Sequence, residues 1–118
     1  MTVAAILKHK GHDVASVHPA DSVADVVALL SARGFGAVLV RDSAPQVQGI
    51  VSERDIMRSL ARHGAATLAM TAAQLMTREL VTITPATTVE RAMALMTERR
   101  LRHLPVLDQG RLVGIISI

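Results

Sequence analysis

The chain of 118 residues contains no cysteine, no tryptophan and no tyrosine, and its single aromatic residue is Phe35. Without cysteine it can form neither a disulfide, nor a thiolate nucleophile, nor a cysteine-ligated zinc site. With one aromatic ring, the core must be built from Val, Leu, Ile, Ala and the flexible side chain of Met. Such a core suits buried strands that are covered by helices, so the composition favours an α/β domain.

Long hydrophobic runs are also missing. The longest apolar runs, such as 26–30, are far too short to span a bilayer, and residues 1–7 lack the basic and apolar segments of a signal peptide. We therefore expect a cytoplasmic protein that has no membrane partner. The formal net charge is +3, but the basic side chains are scattered and no aromatic residues lie among them, so a nucleic-acid partner is not indicated.

The chain does contain an internal repeat. Pro19 and Pro85 lie 66 positions apart, and the residues around them match at the same offset. The motif Gly-Ile-Val-Ser at 49–52 matches Gly-Ile-Ile-Ser at 114–117, at an offset of 65. The extra residue of the first copy falls in the turn 43–46, where an insertion costs little. A duplicated structural unit is the simplest explanation.

Both copies share one predicted order of elements: a strand ended by proline, a helix, and a hairpin of two strands. The predicted strands are 14–17, 37–40 and 48–51 in the first copy, and 80–83, 104–107 and 112–116 in the second. The first helix begins at an N-cap, Asp21, and ends at Gly34. The matching helix begins at Thr87, which is predicted to form a capping box with Glu90.

Apolar residues at helical spacing predict which helix faces are buried. These stripes are Val23, Val26, Val27 and Leu30 in the first copy, and Val89, Ala92, Met93 and Met96 in the second. A further helix is predicted at 53–62, and the Ala- and Met-rich segment 65–77 is expected to be largely helical. The second copy has no room for the further helix before Ile118, and residues 2–7 are expected to cover part of the surface that this leaves exposed.

Three sequence motifs are the most specific. They are Gly-Ile-Val-Ser-Glu-Arg-Asp at 49–55, Leu-Met-Thr at 75–77 and Arg-His-Leu-Pro-Val at 102–106. In this order, and with the duplication, they resemble a tandem pair of cystathionine β-synthase (CBS) domains of the kind found in small stand-alone bacterial proteins. The resemblance implies an α/β (α+β) fold of two β-α-β-β-α units, related by a pseudo-twofold axis and packed as one module, with the second unit lacking its last helix.

This resemblance divides the chain into an N-terminal segment (1–12), a first repeat (13–64), a connector (65–78) and an incomplete second repeat (79–118). It implies a regulatory module, not an enzyme, that binds AMP, ATP, ADP, NAD or S-adenosylmethionine in the cleft between the repeats. AMP or ATP is the expected ligand, and no cofactor is required. A disk-like homodimer and a regulated partner protein are also implied. A dimerisation or interaction module without a small-molecule ligand remains the alternative.

The resemblance assigns Asp55 to the ribose of the nucleotide, and Ser52 to orienting the ribose or binding phosphate. A carboxylate at a helix N-terminus stays ionised and can accept hydrogen bonds from two vicinal hydroxyls. The same spacing is also that of an ordinary capping box, and spacing alone does not separate the two interpretations.

The adenine and phosphate residues are predicted from the second copy. Leu80, Val81, Thr82 and Pro105 are expected to line an apolar slot for adenine, with plain core packing as the compatible alternative. Arg102 and His103 are expected to reach phosphate, with a solvated basic turn as the alternative. The first copy has Gly36-Ala37 in place of this basic pair, and the residue three positions after Ser117 lies beyond Ile118, so one site built on Asp55 is expected.

No other group of residues indicates a metal site or a catalytic site. His9 and His12 have no third strong ligand nearby in the sequence, so we interpret them as surface residues and expect no metal site. No nucleophile–base pair and no Gly-rich phosphate loop can be named, so no catalytic residue is assigned. The methionines at 57, 70, 76, 93 and 96 are expected to fill gaps in the core and at interfaces.

Overall fold

The computed structural model describes residues 1–43 and 46–118. The chain forms two compact units: the first comprises Ala15–Leu80, and the second comprises Met1–Val14 together with Val81–Ile118. Each unit combines helices with a small sheet, which confirms the predicted α/β class. The predicted insertion in the turn 43–46 lies partly outside the described residues.

The described residues form five α-helices and five strands. In chain order these are α1 (Val3–Lys10), β1 (Ser16–Val17), α2 (Val23–Arg33), β2 (Ala37–Arg41), β3 (Val47–Ser52), α3 (Glu53–His63), α4 (Ala72–Leu75), α5 (Val89–Arg99), β4 (His103–Asp108) and β5 (Arg111–Ser117), with a 3-10 helix at Gly64–Ala69. Both predicted hairpins and the helix predicted at 53–62 are confirmed. None of the helices in the described ranges is long and apolar enough to cross a membrane.

In the first unit, the sheet has the order β1-β2-β3. β1 is parallel to β2, and β2 is antiparallel to β3, with Ala37 opposite Ser52. Four of the five residues of β2 are buried. The alternating residues Val38 and Val40 pack in one apolar cluster with the buried face of α2. This hairpin carries the chain directly from β3 into α3, which fixes where α3 begins.

In the second unit, β4 and β5 form a two-stranded antiparallel sheet. The strand predicted at 80–83 is wrong: only Ile83 pairs with β4, in an isolated parallel bridge to Val106. Its N–H donates to the carbonyl of Pro105 (3.1 Å), and its carbonyl accepts from the N–H of Leu107 (2.9 Å). Pro85 cannot donate to a ladder, which limits the pairing after Ile83 but does not account for residues 80–82, which do not pair. β1 is similarly shorter than predicted.

The N-caps of α2 and α5 lie one residue later than predicted. Ser22 and Thr88 are the N-caps, and each hydroxyl accepts from the backbone N–H three residues later (3.1 Å in both). Asp21 and Thr87 hold the preceding turn instead, because their side chains accept from the N–H three residues earlier (2.9 and 3.1 Å). The predicted capping box between Thr87 and Glu90 is therefore wrong.

The segment 65–77 is helical only in part. A 3-10 helix ends at Ala69, and the extended residues Met70 and Thr71 separate it from α4. The break has a physical reason, because the carbonyl of Met70 accepts from the N–H of Val23 (2.8 Å) and Thr71 bridges to Ser22. A continuous helix would use that carbonyl internally and lose the tie to the start of α2.

The short helices α1 and α4 occupy equivalent places in the two units. Each leads into one repeat in the sequence but packs in the unit that holds the elements of the other repeat. Three pairs of backbone hydrogen bonds match between the units. The N–H of Val3 donates to the carbonyl of Thr87 (2.8 Å) as that of Ala72 does to Asp21 (2.8 Å), and the N–H of Ala4 donates to Pro85 (2.9 Å) as that of Ala73 does to Pro19 (3.0 Å). In the opposite direction, the N–H of Val89 donates to the carbonyl of Met1 (3.0 Å) as that of Val23 does to Met70 (2.8 Å).

The glycine of the repeated Gly-Ile-Val/Ile-Ser motif makes room for these leading helices. A Cβ on Gly49 would lie 2.6 Å from Sδ of Met76, and a Cβ on Gly114 would lie 2.6 Å from Cδ2 of Leu7. Leu7 and Val3 are fully buried in the second unit. Residues 2–7 therefore cover apolar surface, as expected, and α1 is an integral part of its unit.

Candidate functional site

Ser52 and Asp55 lie at the junction of β3 and α3. The Oγ of Ser52 accepts from the N–H of Asp55 (3.2 Å), while Oδ2 of Asp55 accepts from both the N–H (2.9 Å) and the hydroxyl (3.0 Å) of Ser52. This is a reciprocal capping box. The structural interpretation of the spacing is thus confirmed, and the box also fixes the orientation of the carboxylate.

The second carboxylate oxygen of Asp55 faces a residue that sequence reasoning did not assign to the site. Oδ1 accepts from the hydroxyl of Thr77 at 3.5 Å. The backbone of Thr77 is held in turn by two hydrogen bonds to Ile50 in β3 (2.9 and 3.1 Å). Asp55 is half-buried, so its carboxylate is held but not enclosed. The available signal was the Leu-Met-Thr motif, in which the role of the threonine was not assigned.

The Ser-x-x-Asp spacing occurs twice in the first unit, so it does not identify a site by itself. Ser22 and Asp25 have the same spacing at the start of α2, and Oγ of Ser22 accepts from the N–H of Asp25 (3.1 Å). Of these two pairs, only Ser52 and Asp55 complete the reciprocal box. Asp25 is also exposed. The pair provides an internal control for tests of Asp55.

The remaining predicted site residues are distributed over both units. Leu80 ends the first unit and is half-buried, whereas Val81, Thr82, Arg102, His103 and Pro105 belong to the second. Val81 packs against the apolar cluster of the second unit and Pro105 is buried in β4, so core packing describes both. Thr82 and Arg102 are exposed, and His103 is half-buried at the start of β4.

The formal charges are divided unequally between the units. The second unit has seven Lys and Arg residues against four Asp and Glu residues, whereas the first has six of each. The whole net charge of +3 therefore belongs to the unit that carries Arg102 and His103. This surplus favours anions near the second unit.

Two basic side chains near the N-terminus donate hydrogen bonds to backbone carbonyls of β5. Lys10 donates through Nζ to the carbonyl of Ile115, and Nδ1 of His12 donates to the carbonyl of Val113, both at 2.6 Å. Partial burial lowers the pKa of Lys10 below its usual value. Throughout the described ranges, no group of three His, Cys, Asp or Glu side chains is placed to hold a metal ion.

The first unit also has an open apolar groove of about 550 Å³ between α2 and α3. Its apolar lining is Val27, Leu30, Phe35, Ile56, Met57 and Leu60. Met57 is 63% exposed and Leu60 is 41% exposed. Val27 and its repeat equivalent Met93 are also exposed, which corrects the prediction that both face the core.

Comparison with known proteins identifies the family. The profile of the CBS domain matches residues 3–62 and 72–118, so each match begins with one of the leading helices. The mitochondrial CBS domain-containing protein CBSX3 of Arabidopsis thaliana is 37% identical over 102 residues, which are 83% of this chain and 50% of the plant protein. The chain thus spans half the length of that curated relative.

Solved structures extend the likeness over the whole chain. The CBS-domain protein ATU1752 of Agrobacterium tumefaciens is 40% identical, with a TM-score of 0.97 over 100% of this chain and 94% of that one. The CBS domain pair of protein MJ0100, solved with 5′-methylthioadenosine and S-adenosyl-L-methionine, has a TM-score of 0.86 over 99% of this chain and 89% of that one. At 23% identity, this second similarity shows only that the two proteins share a fold. The duplicated motifs, the two matched segments and the shared fold show that the chain belongs to the CBS-domain family.

Proposed function

We propose that this chain is a regulatory, non-catalytic module that binds an adenine nucleotide through the carboxylate of Asp55. The observation that carries the proposal is the reciprocal box at the junction of β3 and α3. It places a half-buried carboxylate in one orientation before any ligand arrives. A preorganised acceptor of this kind loses little entropy when it accepts a hydroxyl of a ribose.

The charge distribution favours a ligand with phosphate. Arg102 and His103 are the proposed phosphate contacts, and they belong to the unit that carries the net charge of +3. Leu80, Val81, Thr82 and Pro105 are the proposed contacts of the adenine. The likeness to a CBS pair that holds methylthioadenosine and S-adenosylmethionine supports an adenosine-containing ligand. A sulfonium cation is a poorer match to a basic unit than AMP or ATP.

The test is a calorimetric titration of the chain with AMP, ATP, NAD and S-adenosylmethionine at two salt concentrations. We expect saturable binding of AMP or ATP that weakens as salt rises, because phosphate contacts are screened. Tighter binding of S-adenosylmethionine would overturn the phosphate assignment. If none of the four binds, the nucleotide proposal is wrong and the interaction module without a ligand takes its place.

A second function rests on the apolar groove of the first unit. Met57 and Leu60 line the groove together with Val27, Leu30 and Phe35, and both are exposed, so this face leaves apolar surface uncovered. A twofold contact between identical copies brings the same face of each chain together and would cover this surface on both. We therefore propose a second copy of this chain as the occupant and a homodimer as the assembly.

Placing a charge in the groove should abolish this self-association. Met57→Glu puts a carboxylate into the proposed contact, where its desolvation is unfavourable, so we expect monomers in sedimentation velocity where the wild type forms dimers. The control is Leu68→Glu, since Leu68 is 41% exposed but does not line the groove. A wild type that stays monomeric at high concentration, or a Met57→Glu dimer, would contradict the proposal.

A further inference from the structure

We infer that Thr77 is a positioning residue of the proposed nucleotide site: its hydroxyl orients Oδ1 of Asp55, the oxygen outside the capping box, toward the ligand. The inference rests on the proposed function for its binding consequence. It names a residue outside the predicted ligand set, and it assigns part of the site to the segment that joins the repeats.

The hydrogen bonds of Asp55 divide between its two oxygens. Oδ2 accepts from the N–H and the hydroxyl of Ser52 at 2.9 and 3.0 Å, so the capping box occupies this atom. Oδ1 takes no part in the box, and its contact is the hydroxyl of Thr77 at 3.5 Å. A carboxylate oxygen has two lone pairs. Oδ1 is therefore the atom with capacity to accept a ligand hydroxyl while Thr77 stays in contact.

The place of Thr77 is fixed independently of its side chain. Its N–H and carbonyl both pair with Ile50 (2.9 and 3.1 Å). The preceding residue, Met76, is buried and fills the space left open at Gly49, where a Cβ would lie 2.6 Å from its Sδ. These anchors hold the Thr77 hydroxyl beside Asp55 whatever the hydroxyl itself contributes. Replacing only the hydroxyl therefore tests its role without removing the anchors.

Positioning predicts a specific pair of effects for Thr77→Val, a nearly isosteric change. Loss of the hydroxyl should release Oδ1 of Asp55 from its contact and change the NMR chemical shift of the Asp55 side-chain carboxyl carbon. The affinity for AMP or ATP should fall by about 2- to 5-fold, less than for an ordinary hydrogen bond, because the contact of 3.5 Å is long. Thr77→Ser keeps the hydroxyl and should restore both properties.

The experiment records the NMR chemical shift of the Asp55 side-chain carboxyl carbon in the ligand-free wild type, Thr77→Val and Thr77→Ser at one neutral pH, with Asp55→Asn to assign the signal. AMP and ATP titrations of the same proteins follow. A changed Asp55 signal and weaker binding in Thr77→Val, both reversed in Thr77→Ser, are the expected results. An unchanged Asp55 signal in Thr77→Val overturns the inference, as does a changed signal with unchanged affinity. If the wild type binds neither nucleotide, the proposed function fails, and the ligand-free spectra alone decide whether Thr77 orients Asp55.

Discussion

Leu7→Ala is expected to lower the free energy of unfolding of the second unit by about 2–5 kcal/mol, the range for truncating a fully buried leucine. Leu7 is 1% exposed and lies in an apolar cluster with Val3, Ile83 and Met96. Its side chain also occupies the space opposite Gly114. Because α1 is tied down by backbone bonds to residues 85–89, the cavity left by the truncation cannot close by a simple shift of the helix.

The measurement is chemical denaturation of the wild type and Leu7→Ala, with Leu68→Ala as the control. Leu68 is a leucine of the first unit whose side chain is substantially exposed, so its truncation should change stability by less than about 1 kcal/mol. If Leu7→Ala lowers the free energy of unfolding as little as the control does, α1 is not part of the core. The stability data would then not support the equivalence of α1 and α4.

Gly49→Ala is expected to destabilise the first unit by about 1–3 kcal/mol, the range for overpacking a filled core. The added Cβ would lie 2.6 Å from Sδ and 2.8 Å from Cγ of Met76, and 2.8 Å from the carbonyl oxygen of Thr77. That oxygen accepts from the N–H of Ile50 (3.1 Å). The methionine side chain can move away from the added Cβ. The carbonyl oxygen of Thr77 can move away only if its hydrogen bond with Ile50 breaks.

Gly114→Ala provides the matched comparison in the second unit. The new Cβ there would meet only the side chain of Leu7, with Cδ2 at 2.6 Å and Cδ1 at 3.3 Å. A side chain moves more easily than a backbone oxygen, so Gly114→Ala should lower the free energy of unfolding by less than Gly49→Ala does. Denaturation of both variants, with hydrogen exchange of the Ile50 and Thr77 amides, tests this order. A larger loss in Gly114→Ala, or unchanged exchange in Gly49→Ala, would contradict the account.

The repeat and its hairpins were predictable because their signals are local. Prolines at 19 and 85, short apolar strands and the Gly-Ile-Val/Ile-Ser motif each act over a few residues. The equivalence of α1 and α4 was not predictable from the offset of 66. Leu7 and Met76 are equivalent because each lies opposite the glycine of the repeated motif, and Val17 and Ile83 are equivalent at the offset of 66. The chain from Leu7 to Val17 is three residues longer than the chain from Met76 to Ile83, so the leading helices do not align at that offset.

The other errors also have physical causes. An apolar stripe predicts one face of a helix but not how much of it the domain covers, so Val27 and Met93 were assigned to the core although they are exposed. Asp21 and Ser22 are both good N-caps. The choice between them was settled by the turn that Asp21 closes with His18, a contact that propensities do not contain.

The candidate site was predictable only in its centre. Ser52 and Asp55 follow from the motif, and the structure shows the reciprocal box that their spacing allows. The contact of Thr77 with Asp55 spans 22 positions and depends on how the connector pairs with β3. Local spacing carries no information on such a contact. The adenine and phosphate residues stay predictions, since core packing accounts equally well for Val81 and Pro105.

The central claim is that the Asp55 carboxylate binds the nucleotide, and a calorimetric titration with ATP of the wild type, Asp55→Asn and Asp25→Asn tests it most directly. Asp55 and Asp25 are both the third residue of a serine-capped helix, so the two variants perturb similar positions. We predict that Asp55→Asn weakens binding by about 10- to 100-fold, the loss expected for hydrogen bonds to a charged group, while Asp25→Asn binds like the wild type. Saturable binding that is equal in all three proteins would contradict the assignment of Asp55.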